Sequence, residues 1–244
     1  MSTLLVAQLV RETGCLEEEA RAAIHVAQGS LDVARKDIKI SQAGRLRKYG
    51  PALTRIWQKY SQSDETDFDG TMAMISDLNL DVEDEAVLAI AYELAAPSIG
   101  IFNKQGYMFG WGRLGCLSMA EMQTTTAQLA VKMKQNSAYF KDVYKNTFKF
   151  NLEQGNRFLD LDTAVSYWQL LLPWRYSRVE QWIQFIQSNN QTSVSLDTWM
   201  MYLEFCEYLK VDPYLRAYDE NGSWPMIIDD FVIWLKPQID EDDN

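Results

Sequence analysis

Residues 179–211, VEQWIQFIQSNNQTSVSLDTWMMYLEFCEYLKV, carry the pattern on which the fold turns. Val179, Trp182, Ile183 and Ile186 fall at i, i+3, i+4 and i+7, and Trp199, Tyr202, Leu203 and Cys206 repeat that spacing. Apolar residues at this period line one side of an α-helix. Ser193-Val194-Ser195 lies between the two runs and reads as a short paired loop of a helix-loop-helix unit. Working outward, Ile228, Phe231, Val232 and Leu235 give the same period, and Ala130, Met133, Ser137, Phe140, Tyr144 and Phe148 mark one face of a single long helix. Pro97, Pro173, Pro213 and Pro225 punctuate helix ends. Strand-like alternation is nearly absent, with short pairings expected around Phe68 and Val194. The expected class is all-α.

The chain has 244 residues and is 47% hydrophobic, an ordinary globular fraction that argues against disorder. No apolar run reaches the ~18 residues of a membrane helix. The first residues, MSTLLVAQLVRETG, do not read as a secretory signal. Cys15, Cys116 and Cys206 are far apart, which fits reduced thiols inside the cell, cytoplasmic or nuclear, rather than a disulfide framework. With His25 the single histidine, zinc has no ligand set.

The net charge of −11 disfavours nucleic acid, whose phosphates call for lysine and arginine. The imbalance is local. From Asp197 onward there are 12 acids against 3 bases, a net of −9, part of it in the tail Asp240-Glu241-Asp242-Asp243-Asn244. An acidic surface on a folded segment suits a basic partner, because complementary potentials steer encounter.

Tyr49 is the first aromatic residue, so residues 1–40 have a core of Leu, Val, Ile and Ala alone. They read as three short helices at about 3–12, 16–28 and 30–38, broken at Thr13-Gly14 and Gly29-Ser30, with Ser30 the cap of the third. These helices, with LEEEARAAIHVAQGSLDVA at 16–34, resemble the ubiquitin-associated domain. A basic connector follows, with Arg35, Lys36, Lys39, Arg45, Arg47, Lys48 and Arg55 against Asp37 alone. The expected organisation is a three-helix domain at 1–40, a linker at 41–49, a main domain at 50–240 and an acidic tail at 241–244.

Glu65-x-Asp67-x-Asp69-Gly70 has the look of the front of a calcium loop, with Gly70 at the tight turn. The twelfth position, which supplies a bidentate glutamate in such loops, is Ser76. The expectation is an EF-hand-like helix-loop-helix without metal, with a calcium-binding regulatory protein as the alternative. His25 lies among small residues with no catalytic partner in reach of the reading, and Cys206 sits in an apolar stripe. Cys116, with Arg113 nearby, leaves open a thiol-dependent transfer enzyme, since a reactive thiolate needs an electropositive setting. Asp197, just after the cap candidate Ser195, and Asp229 with Asp230 fall in first turns of helices, where carboxylates favour the positive end.

Three stretches carry a resemblance: Asp160-Leu161-Asp162-Thr163-Ala164 with Tyr167-Trp168; Ser195-Leu196-Asp197-Thr198-Trp199; and Tyr218-Asp219-Glu220-Asn221-Gly222-Ser223-Trp224-Pro225-Met226-Ile227-Ile228-Asp229-Asp230-Phe231. From about Leu53 to Ile239 the chain resembles the defective in cullin neddylation family, whose shared unit is the potentiating-neddylation (PONY) domain. The resemblance implies two EF-hand-like helical halves without calcium or other cofactor. It implies a non-catalytic co-ligase joining a cullin, with its RING subunit, to the conjugating enzyme charged with the ubiquitin-like modifier. The N-terminal domain would then contact ubiquitin or that modifier.

Residue by residue, the resemblance carries the family's cullin-binding patch for the winged-helix subdomain onto Asp197, Ser223 and Asp229, with Ser223 in place of the family's alanine. It carries the apolar pocket for the conjugating enzyme's acetylated N-terminal methionine onto Phe68, Thr71, Ile75, Val87, Ile90, Ala91, Leu94, Ile99, Phe102, Phe150, Tyr167 and Leu170. Thr71 and Ile99 depart from the family's usual residue types. Acetylation removes a terminal charge that would otherwise be costly to bury.

Overall fold

The computed structural model describes residues 3–152, 155–189, 191–219 and 222–242. Twelve helices and one two-stranded ribbon among these residues make an all-α architecture, in two compact units divided between Asn136 and Ser137. No helix among the described residues is long and apolar enough to cross a membrane.

The first unit contains α1 (Thr3–Thr13), α2 (Glu17–Val26), α3 (Leu31–Trp57), α4 (Phe68–Asp77), α5 (Glu85–Glu93), α6 (Lys104–Leu114) and α7 (Met119–Gln135). Helices α1 and α2 close on the start of α3 around Val6, Leu9, Cys15, Ala20, Ile24, Ala34 and Ile38. Ser30 caps α3 as expected, its hydroxyl accepting from the Val33 amide. The third helix does not stop at 38, however. It runs for 27 residues, so that residues 41–49, expected as a connector, form its middle. The inward face continues through polar side chains. Gln42 donates to the Thr13 carbonyl at 2.9 Å and Arg45 to Glu19 at 2.9 Å, before apolar burial resumes at Leu53 and Trp57.

Beyond α3 the chain makes two helix-loop-helix units, α3–α4 and α5–α6, whose loops pair. Glu65 bridges Asn103, the Thr66 amide donates to the Phe102 carbonyl at 2.9 Å, and the Lys104 amide donates to the Asp64 carbonyl at 2.8 Å. Each loop ends on an N-cap: Asp67 accepts from the Gly70 amide at 2.8 Å and Asn103 from the Gly106 amide at 2.7 Å. Gly70 is therefore in the first turn of α4, not at a tight turn of the loop. A Cβ there would stand 2.1 Å from the Tyr60 carbonyl oxygen, and one at Gly106 would stand 2.1 Å from that of Leu94. Glycine at these two caps lets each helix start against the end of the preceding one.

The second unit contains α8 (Ser137–Phe150), β1 (Phe158–Asp160), α9 (Leu161–Leu171), α10 (Val179–Ser188), β2 (Ser193–Ser195), α11 (Leu196–Val211) and α12 (Met226–Asp242). The long helix expected across 130–148 is divided at Asn136, whose extended backbone ends α7 one residue before α8 begins. Asn and Ser hydrogen-bond readily to nearby backbone and so favour helix ends over interiors. Strands β1 and β2 pair antiparallel with Leu159 opposite Val194, both buried, so the loops of α8–α9 and α10–α11 join as those of the first unit do. Asp160 and Ser195 cap the helices that follow.

The core of the second unit is aromatic. Trp199 stacks on Tyr144 at 4.4 Å and on Trp168 at 5.4 Å between ring centroids, and Trp182 stacks on Tyr202 at 4.1 Å. The polar atoms of the first stack are paired within it: Trp168 Nε1 donates to the Tyr144 hydroxyl, which donates to the Trp199 carbonyl. Ile228, Phe231, Val232 and Leu235 of α12 are fully buried, as their period requires. Helix α12 runs through Asp242; the rest of the acidic tail lies outside the described residues.

Candidate functional site

The acidic surface of the second unit is built from the starts of α11 and α12. The Ser195 hydroxyl accepts from the Thr198 amide at 3.0 Å, which fixes where α11 begins and puts the exposed Asp197 in its first turn. Asp197 thus stands at the partial positive end of the helix.

The approach to α12 is held by rings. Trp224 packs edge-on against Phe205 at 5.6 Å and Tyr208 at 6.0 Å, and Tyr218 packs against the same two residues. The Asp212 carboxylate accepts from the Arg216 and Ala217 amides, which also hold its pKa below the ordinary value. The Pro225 carbonyl accepts from the Ile228 amide at 2.8 Å and opens α12. The result is a fixed Asp229, half-exposed in the first turn, with Oδ1 accepting from the Tyr218 hydroxyl at 2.5 Å. Ser223 is exposed just before this turn, and Asp230 is exposed beside Asp229. Phe205, in α11, packs on Phe231, in α12, so Asp197, Ser223 and Asp229 belong to one packed pair of helices and its lead-in segment.

Of the twelve pocket residues, nine lie in the first unit and three in the second. Thr71, Ile75, Ile90, Ala91, Leu94 and Phe102 are buried and Val87 is half-buried, whereas Phe68 and Ile99 are 70% and 60% exposed. Thr71 explains its own polarity: its hydroxyl pairs with that of Thr66 at 2.7 Å and donates to the Gly100 carbonyl at 2.8 Å. That last bond draws the turn carrying Ile99 to the start of α4, which carries Phe68. In the second unit Phe150 is buried and Tyr167 and Leu170 are half-buried.

The other chemical candidates have structural occupations. Asp67 spends its carboxylate on capping α4, and among the described residues no group of three or more His, Cys, Asp or Glu is arranged to hold a metal. Burial raises the pKa of all three thiols, that of Cys206 to about 12, which moves them away from the thiolate a nucleophile needs. Arg113 does not serve Cys116. It donates to Glu93 at 2.5 Å and to Glu19 at 3.2 Å. His25 is exposed in the last turn of α2.

A family model described as Cullin binding matches residues 121–234, a span that contains Asp197, Ser223 and Asp229. Defective in cullin neddylation protein 1 of Yarrowia lipolytica is 35% identical over 92% of this chain and 92% of its own length. The chain belongs to the defective in cullin neddylation family. The protein of the same name from Eremothecium gossypii is 29% identical over 97% of this chain and 98% of its own, and DCN1-like protein 4 of Drosophila melanogaster is 30% identical over 75% and 73%.

Membership in the defective in cullin neddylation family makes sense of the stretch from Tyr218 to Phe231. Its rings and its proline hold a turn, Ile228 and Phe231 are core, and Tyr218 orients Asp229. The role of Tyr218 was missed from sequence, where it stood as one letter of a signature; the signal was a hydroxyl-bearing ring eleven residues before a helix-start carboxylate.

Proposed function

We propose that this protein is a non-catalytic co-ligase for cullin neddylation. It would hold a cullin's winged-helix subdomain on Asp197, Ser223 and Asp229, beside the cullin's RING subunit, and the acetylated N-terminus of the conjugating enzyme at the pocket bordered by Phe68 and Ile99. The observation that carries the reading is Asp229, a carboxylate fixed in a first turn by Tyr218 on the most acidic part of a chain that belongs to this family. The two carboxylates suit lysine or arginine on the cullin, and Asp229, already held by Tyr218, loses little freedom on pairing.

Rate gain would come from tethering, which makes the meeting of charged conjugating enzyme and cullin lysine effectively intramolecular. The raised thiol pKa values fit a protein that forms no thioester of its own. The first 40 residues act in this reading as a recognition module for ubiquitin or the modifier, and the protein works inside the cell, in cytoplasm, nucleus or both, a setting that free thiols suit.

The test is a reconstituted neddylation reaction with acetylated or unacetylated conjugating enzyme, and with the unaltered protein or a D197A/D229A variant. Acceleration should require acetylation and fall at least about tenfold in the variant, the scale expected when charged pairs at an interface are truncated. Equal acceleration by the variant would overturn the patch, and indifference to acetylation would overturn the pocket.

A further inference from the structure

The loop between α3 and α4 reads Ser61-Gln62-Ser63-Asp64-Glu65-Thr66-Asp67-Phe68-Asp69. Ser63 is exposed and Ser61 half-exposed. Both serines are followed by carboxylates and no base before α4 begins. The backbone at Ser63 is anchored, because Trp57 Nε1 donates to its carbonyl at 3.0 Å, while its side chain faces solvent. An exposed hydroxyl on an anchored loop, leading a run of acids, has the form of a substrate segment for an enzyme with a basic groove.

The two hydroxyls also do something for the loop. Ser61 and Ser63 both donate to the Glu65 carbonyl, at 2.5 and 2.7 Å, and the Ser63 amide donates to Ser61 Oγ at 3.0 Å. Glu65 is the residue that bridges Asn103, and next to it Thr66 pairs with Phe102 and with Thr71. The serine hydroxyls therefore stand at one end of a chain of hydrogen bonds whose other end is the first turn of α4, where Phe68 is exposed.

We propose that the Ser61–Ser63 pair is a phosphoacceptor site for an acidophilic serine/threonine kinase, and that phosphate there loosens the loop pairing behind Phe68. The second part rests on the reading of Phe68 as a border of the conjugating-enzyme pocket. In the transfer a base of the kinase takes the serine proton, and serine Oγ forms a bond to the γ-phosphorus of ATP. The bond from that phosphorus to the β–γ bridging oxygen breaks, and ADP leaves with the electron pair.

The phosphoester oxygen has no hydrogen to donate, so the bond from that serine to Glu65 is lost. About −1.5 to −2 of charge arrives at neutral pH. The charged groups lining the two clefts that Ser63 borders are Asp64, Glu65 and Lys104 in one and Lys59, Glu65 and Asp67 in the other. Three carboxylates against two amines leave the phosphate repelled.

The experiment treats the whole protein with a purified acidophilic kinase and magnesium-ATP, maps phosphate by mass spectrometry, and repeats this on S61A/S63A. Phosphate on Ser61 or Ser63, absent from the variant, is expected; phosphate only elsewhere, or none, overturns the site. Hydrogen exchange at the Thr66 and Phe102 amides should then speed up at least about tenfold, as local opening costs less free energy. Unchanged exchange in phosphorylated protein overturns the coupling. An acetylated N-terminal peptide of the conjugating enzyme should bind about fivefold more weakly after phosphorylation. If that peptide fails to bind even the untreated protein, the pocket reading fails, and mass mapping and exchange still decide the phosphoacceptor site.

Discussion

The Tyr218 hydroxyl donates to Asp229 Oδ1 at 2.5 Å, and the ring that carries it is wedged among Phe205, Tyr208 and the start of α12. One carboxylate oxygen is thereby tied down and the half-exposed group keeps a fixed direction. Replacing Tyr218 with Phe keeps the ring and removes the tie. The expected outcome is a cullin-fragment affinity lower by about threefold to tenfold, because the freed carboxylate must be ordered again on binding, with little change in melting temperature. Titration calorimetry and a thermal melt on the same sample check both. A full loss of affinity together with a lowered melt would mean that the hydroxyl holds the fold rather than the site.

Gly70 and Gly106 are the paired starts of α4 and α6, each with a carbonyl oxygen 2.1 Å from where a Cβ would stand. Alanine at either position forces backbone apart and should cost upwards of ~2 kcal/mol. Gly44, inside α3 with nothing within 4 Å of its would-be Cβ, is the control. Alanine there should stabilise by about 0.5–1 kcal/mol, because it restricts the unfolded chain at no steric cost. Urea unfolding of the three variants reads the sign directly, and a destabilised G44A would show that α3 is not helical through its middle.

Much of this was legible because packing follows period where the buried face is apolar. The stripes at Val179–Ile186, Trp199–Cys206 and Ile228–Leu235 all proved to be core. Legibility failed where burial is polar. The inward face of α3 passes through Gln42 and Arg45, which pattern reading scores as surface, so a continuous helix looked like a helix and a basic linker. At Asn136 the error ran the other way: the apolar period carried across a break set by a single extended residue. In the candidate site, Asp197 and Asp229 could be read as helix-start acids, but the Tyr218 contact depends on a turn whose shape no local pattern states. Phe68, in the set that the resemblance carried onto an apolar pocket, is exposed at the start of α4, while Thr71, one turn on, is buried with its hydroxyl on the Gly100 carbonyl.

The burial of the three cysteines makes a chemical prediction. Cys15, Cys116 and Cys206 are each at most 3% exposed, and burial pushes each thiol up. In the native protein at neutral pH a disulfide reagent should therefore label none of them on the timescale of seconds, and all three should react once urea unfolds the chain. Rapid labelling of one thiol would reopen the transfer-enzyme reading at that residue.

Arg113 is the hub that ties α2 and α5 to α6. It reaches Glu93, 5% exposed, and Glu19, which also accepts from Arg45. Methionine at Arg113 would fill similar volume but strand the Glu93 carboxylate, an expected cost of about 3–5 kcal/mol. Lysine should fall between, since one ammonium cannot fork to both partners. The same hub sets an acid limb. Burial pushes Glu19 up, but the Arg113 charge and the hydrogen bonds from Arg45 and Leu16 outweigh it and leave the folded pKa below the ordinary 4.5. As pH falls below about 4.5 the unfolded chain takes up this proton before the folded one does, so stability is lost on the acid side and fully present above about pH 5.5. The gap in unfolding free energy between the unaltered protein and E19Q should accordingly narrow from pH 6 to pH 4, and a gap independent of pH would remove Glu19 from the account.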